Sequence, residues 1–260
     1  MIEYDDSEPF IKPQGIHFLD EKDKDMELPK VAVGVFSKYL LSDIVDKYEC
    51  REIGYIRNAN SNKKVYILKY KDQLLTLFMA GIGGPAISAD ISELHKNGVK
   101  KVIIFGNCGV LDSSIEDCSI IIPNLAYREE GTSYHYVKET GPIEVNPKYK
   151  EDFIKLLEER DFEYTIGPTW TTDAFYRETK NKIEKYKNLG VKTVEMEGSA
   201  LAAVCKYLNM DYFTFYYAGD NLDSVEWDER SLSEVENFDK KKLVALLALD
   251  LAIEINKERW

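Results

Sequence analysis

Apolar residues along the chain fall into short β-branched runs that alternate with stretches of helical period. Residues 31–36 form a run of strand length and composition. Residues 38–48 follow with Leu41, Ile44, Val45 and Tyr48 at helical spacing. Residues 65–70 and 74–79 predict two strands joined by a hairpin turn at Lys71-Asp72-Gln73. A helix opens at Pro85, turns Ile87, Ile91 and Leu94 inward and stops at Asn97-Gly98. Strands are predicted at residues 101–105, 119–123, 163–169 and 211–217. Helices are predicted at 146–160, 178–189, 196–207 and 241–257. This alternation predicts an α/β fold, a three-layer αβα sandwich with a central mixed β-sheet flanked by helices. Residues 1–29 are polar, acidic and interrupted by Pro9, Pro13 and Pro29. They read as an N-terminal arm, and 30–260 as a single domain without repeat or linker.

Composition narrows the class. Hydrophobic residues make up 44% and charged residues 31%, the balance of a globular protein that can bury a core. The net charge of −12 opposes a nucleic-acid partner, because binding phosphates needs a basic face. Cys50, Cys108, Cys118 and Cys205 form no CxxC pair, and only His17, His95 and His135 could assist them. No metal site is expected, and free thiols suit a reducing cytoplasm. Apolar stretches too short to span a bilayer, and an N-terminus without a signal-peptide core, predict a cytoplasmic protein with no membrane partner.

Candidate chemistry gathers where strands are expected to end, the usual place for ligands in open α/β sheets. Gly81-Ile82-Gly83-Gly84 lacks the GxGxxG spacing and any following Gly-Lys-Ser/Thr, so neither a dinucleotide site nor a P-loop is indicated. It reads as a tight turn that could also touch a ligand. Gly106-Asn107-Cys108-Gly109 allows close backbone approach. Cys108 reads as a small buried residue before it reads as a nucleophile. In Val194-Glu195-Met196-Glu197-Gly198 two carboxylates straddle a helix start, where they either serve a site or favour the helix dipole. Asp220 follows an apolar strand, as a general acid or as a turn former.

Taken in order, these segments resemble the nucleoside phosphorylase family of purine nucleoside phosphorylase, uridine phosphorylase and methylthioadenosine nucleosidase type. The resemblance runs from about His17 to the last helix. It rests on Gly81-Ile82-Gly83-Gly84-Pro85, Gly106-Asn107-Cys108-Gly109, Glu130-Gly131-Thr132-Ser133-Tyr134-His135, Thr172-Asp173-Ala174-Phe175-Tyr176 and Val194-Glu195-Met196-Glu197. It implies that Glu197 accepts from the ribose hydroxyls while Met196 packs on the sugar. It implies His17 as a further ribose contact, in many members reaching a neighbour's substrate. Phe175 would stack on the base, with Gly109 and Glu195 beside it. Asp220, 23 residues after Glu197, would protonate purine N7 as the glycosidic bond breaks. A homodimer or homohexamer is implied, and no cofactor beyond inorganic phosphate as co-substrate.

The chain departs from that pattern where phosphate should bind. The family's Gly-Asp-Pro-x-Arg loop is replaced by Gly34-Val35-Phe36-Ser37-Lys38, and Ile104 and Asn107 stand for an arginine and a hydroxyl residue. An arginine donated by a partner would fall near Ser61 to Lys64, where there is none. Lysine is a point charge without arginine's fork. The phosphate region is therefore read as Gly34, Lys38, Asn107 and Arg177, with Arg128 as a further substitute. Arg177-Glu178-Thr179 replaces the residues with which uridine phosphorylases read uracil, which favours a purine-type base. The expected function is phosphorolysis of a ribonucleoside to free base and ribose-1-phosphate. The alternatives are a water-using nucleosidase and a non-catalytic nucleoside-binding protein on the same fold.

Overall fold

The computed structural model describes residues 2–59, 61–233 and 235–257. Its strands are β1 (His17–Phe18), β2 (Val31–Val35), β3 (Glu49–Arg57), β4 (Asn62–Tyr70), β5 (Gln73–Met79), β6 (Lys101–Val110), β7 (Ile120–Glu129), β8 (Ile143–Glu144), β9 (Tyr164–Thr172), β10 (Thr193–Glu195) and β11 (Asp211–Asn221). Its α-helices are α1 (Lys38–Lys47), α2 (Gly84–Lys96), α3 (Lys150–Glu158), α4 (Lys180–Asn188), α5 (Gly198–Leu208) and α6 (Phe238–Asn256).

One mixed sheet carries all the strands, in the order β1-β3-β4-β5-β2-β6-β10-β9-β7-β11, with β8 on β7. β11 also returns to pair with β6, so β6, β10, β9, β7 and β11 close a ring. The first half of β6 lies between parallel β2 and β11, and its far end pairs antiparallel with β10 at Gly109 and Val110. Strand alternation sorts the core into two layers. Val31, Val33, Val35, Ile103 and Phe105 face α1, α3 and α6. Ala32, Val102 and Ile104 face α2 and α5. The fold is the expected three-layer αβα sandwich.

Local chemistry explains the departures. The hairpin needs only Lys71 and Asp72, both at positive φ (48° and 61°), as a two-residue type I′ turn demands. The helix expected from 146 begins at Lys150, because Asn146 and Tyr149 sit at φ 57° and 65°. The Asn146 side chain instead bonds the carbonyls of Pro123 and Thr214 and the amide of Thr214. β3 was not foreseen, because its Glu-Cys-Arg-Glu start is polar. Gly106-Asn107-Cys108-Gly109 is not a turn but part of β6, and β11 runs on to include Asp220. The second half of the arm is stitched to the sheet. β1 pairs with β3, the Leu28 amide bonds the Asn97 carbonyl, and Ile16 and Leu28 are buried. Among the described residues, no helix is long and apolar enough to cross a membrane.

Candidate functional site

β10 holds three buried residues and ends where α5 begins, with Glu197 at the N-cap. The first amides of a helix need acceptors, and Glu195 supplies one. Its Oε2 accepts from the amides of Glu197 and Gly198 at 2.7 and 2.5 Å. Its Oε1 accepts from the hydroxyls of Thr171 and Thr169 at 2.6 and 3.3 Å. Both oxygens are thus committed to holding the turn, which corrects the reading of Glu195 as a base contact. Gly198 is required by the same packing. A Cβ there would lie 2.6 Å from the Tyr216 hydroxyl and 2.9 Å from Glu195 Oε1.

Glu197 is 9% exposed. One oxygen accepts from the Gly83 amide at 2.5 Å, across from the turn that opens α2. Gly83 adopts φ +89°, a conformation natural to glycine. No described side chain bonds the Glu197 carboxyl, whose backbone partners are Gly83 and Met196. Burial, and the Glu195 charge beside it, push the Glu197 carboxyl up to about 8. Met196, half-buried, sits between the two acids in sequence.

Asp220 lies near the end of β11, and burial raises its carboxyl above the ordinary range. The Trp227 indole N–H donates to its Oδ2 at 2.7 Å. Across from it stands Gly109. A Cβ on Gly109 would come within 3.1 Å of both Asp220 Oδ1 and Val194 on β10, so glycine lets these strand ends converge. Cys108 donates to the Tyr217 carbonyl at 3.7 Å, and burial pushes its thiol well up, so it packs as a thiol. Asn107 is exposed beside Gly219.

Phe175 opens a single 3-10 turn, Phe175–Arg177, with its ring 50% exposed and 4.0 Å from that of Tyr176. Arg177 is exposed. Glu178, which pattern alone assigned to a charged helix, falls just outside α4. Burial, Asp220 and Glu129 together push its carboxyl up to about 8, against the pull of Lys182. Its signals in the sequence were its place three residues after Phe175 and its membership of Arg177-Glu178-Thr179, the segment that replaces the uracil-reading residues.

The residues expected to hold phosphate are not gathered. Gly34 is sealed inside the sheet, since a Cβ would lie 2.6 Å from Phe78 and still closer to Ile104. Lys38 is exposed, with its ammonium over the Tyr39 ring at 5.0 Å. Arg128 stacks on Tyr134 at 3.9 Å and bonds the Ser133 hydroxyl and the Glu139 carbonyl. Lys63, near the place of the missing partner arginine, forms a buried ion pair with Asp90, which also accepts from the Gly81 amide. Of the expected phosphate residues, Asn107 alone lines a cavity of about 200 Å³, with Phe36, Ser37, Ile82, Gly106 and Lys241 among its walls. A second cavity of about 310 Å³ opens at the start of β7 and β9, away from every candidate residue. His17 stacks on Tyr55 at 4.8 Å on the edge strand, remote from Glu197 within its own chain. Among the described residues, no cluster of three or more His, Cys, Asp or Glu side chains could hold a metal ion.

Residues 30–253 match the model of the Phosphorylase superfamily. Guanosine phosphorylase of Halorubrum lacusprofundi is 27% identical over 147 residues, 56% of this chain and 61% of its own length. Uridine phosphorylase of Thermococcus kodakarensis is 30% identical over 59% of this chain and 58% of its own. Purine nucleoside phosphorylase of Bacillus cereus is 26% identical over 71% and 78%. Two of these three relatives are therefore matched over less than two thirds of their length. Among solved structures, purine nucleoside phosphorylase from Toxoplasma gondii in complex with immucillin-H superposes with a TM-score of 0.77 at 20% identity, over 91% of this chain and 94% of that one. Uridine phosphorylase from Vibrio fischeri gives 0.75 at 20% identity, over 88% and 95%. These two likenesses concern the fold.

Proposed function

The chain belongs to the phosphorylase superfamily, and from that membership we propose that it cleaves the N-glycosidic bond of a purine-type ribonucleoside, with phosphate as acceptor. The observation that carries this reading is a pair of acids with raised carboxyls, Glu197 at the N-cap of α5 just after β10 and Asp220 near the end of β11, two strands that converge at Gly109. Glu197, bonded by no described side chain, accepts from the ribose diol, a contact that favours its ionised form and fixes the sugar. Phe175 stacks on the base. Asp220 gives its proton to N7 while the C1′–N9 bond breaks and its electron pair passes to the base. A phosphate oxygen attacks C1′, and the products are free base and ribose-1-phosphate. The developing cationic sugar is favoured by the acids around it. Phosphate would enter the cavity beside Asn107 and the start of α1.

A second reading, with water as acceptor, is favoured by the way the cations are spent. Lys63 is paired with Asp90, Arg128 is held by the Ser133 hydroxyl and the Glu139 carbonyl with its Nη2 buried and unpartnered, and Lys241 bonds the carbonyls of Ser231 and Ser233. Residues 30–260 are read as the catalytic domain of a cytoplasmic homodimer or homohexamer. The arm of residues 1–29 then lends His17 to a neighbour's ribose.

The test is base release from inosine, adenosine and uridine with and without phosphate. Phosphate-dependent release of purine base with ribose-1-phosphate is expected, and free ribose irrespective of phosphate would select water. Asp220→Asn cannot protonate N7 and should lower kcat by about 10²- to 10⁴-fold. Undiminished turnover in that variant would remove Asp220 from the chemistry.

A further inference from the structure

The rim of this site carries an acid for which the reaction above has no use. The Glu178 amide bonds the Phe175 carbonyl at 3.1 Å, so Glu178 is fixed one tight turn from the ring expected to stack on the base. Its side chain is half-buried and has no hydrogen bond or ion pair among the described residues. The charged groups around it come from three elements. They are Asp220 on β11, Glu129 on β7 and Lys182 on α4. Lys182 is already committed to Glu129 at 2.6 Å, and the other Glu129 oxygen is buried without a partner. No neighbour therefore satisfies Glu178, and such a group gains most from a ligand that does.

We propose that Glu178 reads the 6-position of the purine and selects 6-oxopurine over 6-aminopurine ribonucleosides. This rests on the reading that Asp220 addresses N7. N7 and the 6-substituent share one edge of the purine, so an acid beside Asp220 on the Phe175 turn meets that substituent. The partner that fits depends on the proton. Held up to about 8, Glu178 is a neutral acid at neutral pH, and its O–H needs an acceptor. With N7 taken by Asp220, a 6-oxo group offers that acceptor and a 6-amino group does not. Once ionised, Glu178 only accepts, which suits a 6-amino group and repels a carbonyl oxygen. The preference for the 6-oxo base is therefore greatest below about 8 and falls as pH rises through it.

The experiment is the ratio of kcat/KM for inosine over adenosine, with the full chain in phosphate buffer, at several pH values between about 6.5 and about 8.5. Asp220 acts on both substrates, so its own titration cancels in the ratio. A wild-type ratio of about 10 or more is expected at the low end, falling several-fold towards the high end. Glu178→Gln carries a donor and an acceptor at every pH. Its ratio should lie within about threefold of unity, without that fall. Glu178→Ala, which leaves no polar atom at a half-exposed position, should lose the preference in the same way. The inference is overturned if both variants keep the wild-type ratio and its pH profile while turning over substrate. If the wild type releases base from neither nucleoside, the glycosidic reading itself fails and takes this inference with it.

Discussion

Glu195 and Glu197 stand two residues apart and do opposite work. Glu195 is saturated by four donors, which fixes the start of α5. Glu197 is left with the backbone bonds of Gly83 and Met196 alone, and its carboxyl is raised from an ordinary 4.5 to about 8. Native Glu197 thus keeps a proton that the unfolded chain has released at the same pH. Its contribution to stability is whole below about 4.5 and is lost as pH rises to about 8. Glu197→Gln cannot ionise. Its melting temperature relative to wild type should climb between those limits and level off above them. A gap independent of pH would show that Glu197 titrates normally. The same variant should bind ribonucleosides about 10- to 100-fold more weakly, since an amide replaces the carboxylate that the diol favours. Binding equal to wild type, read by calorimetry, would take Glu197 away from the sugar.

The elements that set the site differ in how plainly they could be read. β2, β5 and β6 are apolar runs, and α2 has proline near its start and glycine after its end, so pattern alone located them. β3 opens on polar residues and gathers its apolar ones, Ile53, Tyr55 and Ile56, only in its second half, and its role comes from pairing with β4, which no local signal reports. α3 was overextended because the side chain of Asn146 competes with helix for its own backbone through distant carbonyls. The junction of β10 and α5 was legible as a motif, yet the division of labour between its acids was not, because Thr169, Thr171 and Gly83 are far away in sequence. The surroundings of Arg128 were hidden for the same reason, since Ser133, Tyr134 and the Glu139 carbonyl meet it only in the fold. The junction also yields a prediction. Gly198→Ala would press a methyl against Tyr216 and Glu195. Overpacking of this kind costs about 1–3 kcal/mol, or roughly 3–10 °C in melting temperature. Turnover should fall as well, since Glu195 positions the Glu197 turn. Wild-type melting and turnover would mean that the junction yields freely.

At the scale of the molecule the sheet sets a distance. β1 lies three strand positions from β5, whose following turn sets Gly83 against Glu197, a separation on the order of 14 Å at about 4.8 Å per strand. No rotamer of His17 spans that gap to its own Glu197. A ribose contact by His17 therefore requires a second copy of the chain whose arm edge meets this site. Removing one neutral hydrogen bond should lower kcat/KM by about 2- to 10-fold in His17→Ala. The arrangement in trans has a sharper signature. A His17→Ala chain keeps Asp220, and an Asp220→Asn chain keeps His17. Subunits exchanged between the two should form sites that have both, and activity per His17→Ala chain should rise above that of the variant alone. If contact were made within one chain, or not at all, the mixture would give only the sum of its parts. That result would detach the arm from the chemistry and leave β1 as an edge that merely closes the sheet beside β3.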